Sequence, residues 1–179
     1  ELEPPDLAGQ RARERALLTS EQLALVQRRR DRRAGHAHHP QVAQTLNNLS
    51  ALYRAHGDFT QARRYCERGL EIREKSLGPD HPDVAESLTE LAALDFSQKR
   101  YEQARQSLQR SLRVREKAFG SEHPEVARSL MNYAALLRKT DETAEAKRLE
   151  VRAHHILSAF PSLRWGDLTI DIKEVPKSD

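Results

Sequence analysis

The chain has 179 residues, of which 37% are hydrophobic, 32% charged and 5% aromatic. At roughly 150 residues per domain that is one domain with tails, and so few aromatics exclude the core of a β-sandwich or barrel. Lys and Arg number 30 against 27 Asp and Glu, so the formal net charge of +3 does not point to a nucleic-acid partner. No apolar run reaches the roughly 18 residues of a membrane span, and no secretory leader opens the chain. The expected location is therefore cytoplasmic, without a membrane partner. Glu1 in place of an initiator Met points to a piece of a longer chain. Cys66 is the single cysteine, which rules out an intramolecular disulfide and a cysteine-held zinc.

In chain order, residues 1–15 read as a flexible lead and 16–38 as a degenerate capping helix. Thr19 or Ser20 supplies its N-cap, with Gln22 three positions after Thr19. Leu17, Leu23, Leu25 and Val26 are then placed to cover the helices that begin after residue 38. The basic stretch Arg28-Arg29-Arg30-Asp31-Arg32-Arg33 fits the solvated face of a helix better than a nucleic-acid site.

Residues 39–164 carry an internal repeat, in copies 39–80, 81–122 and 123–164. Each opens with His-Pro (His39-Pro40, His81-Pro82, His123-Pro124) followed by Val-Ala one residue on. Leu46, Leu88 and Leu130 recur in register, as do Ala51, Ala93 and Ala135 and, later, Ala62, Ala104 and Ala146. The first two copies close on Arg73-Glu74-Lys75-Ser76-Leu77-Gly78 and Arg115-Glu116-Lys117-Ala118-Phe119-Gly120. Each copy predicts two antiparallel helices. Proline suits the first helical position, where its missing N–H has no partner to lose. In copy two, Val84, Leu88, Leu91 and Leu94 make a stripe at helical spacing that should end near 98–100. A second helix is expected from about Glu102 to Phe119, with Ala104, Leu108, Leu112 and Val114 inward. Gly78 and Gly120 are expected in the left-handed C′ conformation.

Residues 165–179 form an extended tail in which Leu168, Ile170 and Ile172 alternate with polar residues. Three fates stay open: a frayed end, a cap packed through Trp165, or a ligand for a groove of this or a neighbouring molecule. The last, in a neighbouring molecule's groove, allows self-association through the tail.

These phrases resemble the tetratricopeptide repeat, in which a large, an apolar, a small and an aromatic residue are spaced along the first helix and Ala-x3-large along the second. Copy one gives Leu46-x2-Leu49-Ser50-x2-Tyr53 and Ala62-x3-Cys66; copy two gives Leu88-x2-Leu91-Ala92 and Ala104-x3-Leu108. The 42-residue period and the Gly-Pro-Asp-His-Pro phrase are similar to the long-repeat subclass of kinesin light chains and nephrocystin-type proteins. Asp95 stands where the family puts a large residue, and Glu150 where Cys66 and Leu108 stand. The resemblance implies an all-α right-handed solenoid of three helix-turn-helix repeats with degenerate terminal caps. Trp165-Gly166-Asp167 is also similar to the tryptophan-acidic motifs that bind kinesin light chains, although Arg164 departs from them.

No enzyme motif appears: no phosphate-cradling glycine loop, no nucleophile elbow, no zinc-protease helix. No cofactor is implied. The histidines at 36, 38, 39, 154 and 155 lack carboxylate or cysteine partners at ligand spacing, so no metal site is assigned. Cys66 is expected to be a buried structural thiol. The resemblance implies non-catalytic binding of a peptide or protein partner in a concave groove, as an adaptor or scaffold within a larger protein. The groove residues it points to are Asn47, Asn48, Arg54, Glu90, Phe96, Arg128, Met131, Asn132, Arg138 and Lys139. Asparagine amides can pair with an extended backbone, and arginines with carboxylates. Glu90 makes a mixed-charge ligand fit as well as an acidic one. The alternative reading is a homo-oligomerisation module that uses the outer faces or the tail.

Overall fold

The structure is a computed structural model, and the residues it describes are 40–160. The expectations for 1–15, 16–38 and 165–179 lie outside them. Six helices occur among the described residues: α1 (Pro40–Ala55), α2 (Phe59–Leu77), α3 (Pro82–Ser97), α4 (Tyr101–Phe119), α5 (Pro124–Lys139) and α6 (Thr143–Ser158). The described residues contain no strand. Contacts run between consecutive helices and from α1 to α3, the neighbour-to-neighbour pattern of an all-α solenoid.

The core is accordingly a string of small clusters. Leu49, Tyr53, Ala62 and Tyr65 of copy one close around Leu94 of copy two. Ala92, Phe96, Ala104 and Leu108 of copy two close around Leu136 of copy three. Copies two and three thus each lend one fully buried leucine to the copy before them, with Leu91 and Tyr133 packed beside it, and the first two copies do not bury their apolar faces alone. Cys66 is fully buried and its thiol is pushed up to about 12, chiefly by burial, which leaves it without thiolate reactivity near neutral pH.

The helix ends show what the His-Pro phrase does. His81 and His123 are the N-caps of α3 and α5, each ring Nδ1 accepting the backbone N–H two residues on, Asp83 and Glu125, at 3.2 Å. That geometry requires a neutral ring with its proton on Nε2. Proline follows at the first helical position in both. Gly78 and Gly120 have the expected positive φ, but their ψ angles of 157° and 162° lie outside the left-handed helical region. They occupy an extended region that only glycine enters readily, turning the chain sharply into the next copy.

Between the helices of each copy, Gly57, Lys99 and Asp141 occupy equivalent positions, with φ of 79°, 59° and 63°. Only the first of them is a glycine, although a non-glycine residue in the left-handed region costs about 1 kcal/mol. Lys99→Gly is therefore expected to raise the urea midpoint by an amount equivalent to about 1 kcal/mol. An unchanged midpoint would show that the lysine is not strained there.

Candidate peptide-binding face

The first helices α1, α3 and α5 carry the sequence-derived site residues at matching heights. Two links bring α1 against α3. Arg54 Nε donates to Glu90 Oε1 at 3.3 Å, and Gln44 Nε2 donates to Glu86 Oε1 at 3.4 Å. Arg54 and Glu90 are thus brought together, and both are only about one-seventh exposed. Asn48 is exposed and accepts from Gln44 at 3.3 Å, extending the same polar line by one helical turn. Ala51 and Ala135 are half-buried and Ala93 is buried, so the three positions leave little side-chain bulk between the polar rows.

Other predicted residues are placed differently. Asn47 is buried, and its Nδ2 donates to Ser87 Oγ at 3.1 Å, which ties α1 to α3 from inside. Phe96 is buried in the second cluster, edge-on to Tyr101 at 5.6 Å. Met131 is half-buried against the Val126 and Leu130 cluster. Asn132 is 2% exposed, and its Nδ2 has no partner among the described residues. Arg128 is half-buried on the same face of α5, one turn earlier; its Nη2 pairs with Glu125, and its Nε is likewise unpartnered. Arg138 is exposed and doubly bonded to Glu150 of α6, both bonds at 2.6 Å. That fork holds the Glu150 carboxyl below the usual carboxylate range. Lys139 is exposed and forms no ion pair among the described residues.

The open polar residues are therefore Gln44, Asn48, Arg138 and Lys139, with Arg54, Glu86, Glu90 and Arg128 half-buried beside them. The sign of charge changes along the row, from Arg54 through Glu86 and Glu90 to Arg128, Arg138 and Lys139. An extended ligand on this face would need both signs of charge to match it. No group of His, Cys, Asp and Glu that could hold a metal occurs among the described residues, and no described helix is long and apolar enough to cross a membrane.

Sequence reasoning missed two internal networks. Arg73 is 1% exposed, and its guanidinium donates to Asp83 O, Ser87 Oγ, Gln44 Oε1 and Glu86 Oε2 at 2.5–3.0 Å. Arg115, one repeat later, donates through Nη1 to Thr89, Ser111 and Ser129 hydroxyls at 2.7–3.2 Å. Burial lowers the Arg115 pKa to about 10, so it stays charged at neutral pH. The signal lies in the sequence: the recurring Arg of Arg-Glu-Lys, followed fourteen residues on by Ser87 or Ser129.

The tetratricopeptide repeat family model matches residues 21–74, 41–117 and 89–158. No curated protein matches the sequence at a significant level. Among solved structures, the chain is similar to BtubC (BKLC) from P. vanneervenii, with 22% identity and a TM-score of 0.72 over 86% of this chain and 59% of that one. It is also similar to a kinesin light chain candidate from Podosopora anserina with nearly identical TPR-like repeats. There the identity is 24% and the TM-score 0.68, over 83% of this chain and 68% of that one. A variant form of the Podosopora anserina protein gives 24% and 0.62, over 71% of this chain and 60% of that one. The chain thus spans about three-fifths of the length of BtubC.

Proposed function

Because the chain belongs to the tetratricopeptide repeat family, we propose that its first-helix face binds an extended segment of a partner protein without catalysing a reaction. Tetratricopeptide repeats generally mediate protein–protein interaction and are typically non-catalytic. The observation that carries the proposal is the in-register polar row on successive first helices, Gln44, Glu86 and Arg128, backed by the Arg54–Glu90 link. Small side chains at Ala51, Ala93 and Ala135 lie alongside it. In this reading Asn48 and Gln44 hold ligand amides and Lys139 holds a carboxylate, while Arg128 and Arg138 turn to the ligand from Glu125 and Glu150, the acids that otherwise hold them. Asn47 and Phe96 support the wall from behind. The bound segment has mixed charge, acidic where it meets α5 and basic or polar where it meets Glu86. The repeats 39–80, 81–122 and 123–164 are its units, and the parent protein uses them as an adaptor.

The test is selection of a displayed random-peptide library on the immobilised chain, followed by titration of the selected peptides. Replacing Arg138 and Lys139 with Ala is expected to weaken the selected peptides about tenfold, since a hydrogen bond to a charged group contributes about 1.5 kcal/mol or more. Both residues are exposed, so the fold should persist. Selected peptides that lack acidic residues, or that bind the double variant equally well, would remove this reading.

A further inference from the structure

A cleft of about 390 Å³ lies between the α2–α3 connection and α4, and none of its lining residues belongs to a first helix. Pro79 and Asp80 form one wall; Arg110, Arg113, Val114 and Lys117 form the other. The α4 residues are spaced three and four apart, so they share one face of that helix. Val114, buried, is the apolar residue that α4 contributes to the lining.

Two of the three cations are already neutralised. Lys117 pairs with Asp80, and Arg110 with Glu74. The Arg110 pair belongs to the repeat itself, because Arg152 and Glu116 make the same link one copy later at 2.7 Å. Arg113 is different: it is exposed and makes no hydrogen bond or ion pair with any described residue. At its position the other copies carry Glu71, which pairs with Lys75, and His155, which faces Glu122 at 3.7 Å. Copy two alone places an uncompensated guanidinium in a walled cleft.

We propose that this cleft is a second docking site, which takes one carboxylate of an acidic segment on a partner protein. Arg113 offers a planar fork that fits a carboxylate through two parallel bonds. Val114 and Pro79 receive the aliphatic stem or an apolar neighbour of the acidic residue. A single unneutralised positive charge balances a carboxylate. A phosphate monoester, at nearly two negative charges, would have to draw Arg110 or Lys117 away from its acid.

The experiment uses the full chain, isotopically labelled, titrated with a short peptide of alternating glutamate and leucine. The amide signals of Asp80, Arg113 and Val114 are expected to move. Arg113→Gln should weaken binding about tenfold with an unchanged urea midpoint, and the glutamine counterpart of the peptide should leave these signals still. In an Arg138→Ala/Lys139→Ala variant the Asp80, Arg113 and Val114 signals should move over the same peptide concentrations as in the parent, which separates this site from the first-helix face. Equal affinity in Arg113→Gln, or shifts confined to α1, α3 and α5, would overturn the proposal. So would inorganic phosphate competing more strongly than acetate. Signals of residues 161–179 that move in Arg113→Gln without peptide would make the chain's own tail the occupant, and would overturn it as well.

Discussion

Arg73→Ala is expected to cost about 4 kcal/mol, the range found when one partner of a buried charge network is removed. Urea unfolding followed by helical circular dichroism measures it. Arg73 reaches from α2 to both neighbours, bonding Gln44 of α1 and Ser87, Glu86 and the Asp83 carbonyl of α3. Truncation leaves the Asp83 carbonyl and the Ser87 hydroxyl in a space emptied of a large side chain. Because each copy is stabilised by its neighbour, the loss should also broaden the transition as copy one separates from the others. Arg73→Met should restore about half of the loss, by refilling the space without renewing the bonds. A full rescue by Met would show that packing, and not the hydrogen bonds, is what the arginine contributes. A loss below about 1 kcal/mol on going to Ala would show that water takes over its bonds freely.

Asp95→Ala is expected to cost about 3 kcal/mol, from the charge-assisted hydrogen bonds and the buried side-chain packing lost together. Asp95 is 2% exposed; it accepts from Arg100 Nε at 2.8 Å and also pairs with Arg63 of the preceding copy. The same position is Tyr53 in copy one and Leu137 in copy three, both buried. Copy two has thus replaced an apolar contact by an ion pair that reaches across two repeats. Arg63 and Arg100 are about one-third exposed, so either can turn to water. Asp95→Leu should therefore lose less than about 1 kcal/mol, because it supplies the packing that the other copies use. Asp95→Asn, which keeps the shape but not the charge, should fall between the two. A leucine variant as unstable as the alanine variant would mean that the two arginines cannot hydrate where they stand.

Much of the fold was legible in the sequence because the period never slips. Helix α4 runs from Tyr101 to Phe119, where the pattern predicted a start near Glu102 and the same end. The first helix of copy two stops at Ser97, one residue before the expected span. Local patterns mark such boundaries. They do not mark what a residue meets from another copy. Asn48 and Asn132 occupy the same repeat position, yet one is exposed and the other buried. Arg73 and Arg115 look like solvated residues of a charged phrase until their partners on neighbouring helices are known, Ser87 and Ser129 among them. The departures at Asp95 and Glu150 were visible as departures, but their explanation needed Arg63, Arg100 and Arg138 in space. Register therefore predicted which helix carries a site residue, and failed to predict which side of the wall it occupies.

The arginine joints also bear on how such an array can grow. Residues 81–122 hold Ser87 near their front, which receives Arg73, and Arg115 near their back, which is received by Ser129. The unit is a plug and a socket of one gauge, so inserting a second copy of it would present matching ends to both neighbours. Copy three has the socket but carries the buried Leu157 where the plug would be. Lengthening through the arginine joint is then open in the middle of the series, and Leu157 withholds that joint at the α6 end by a single change of residue type.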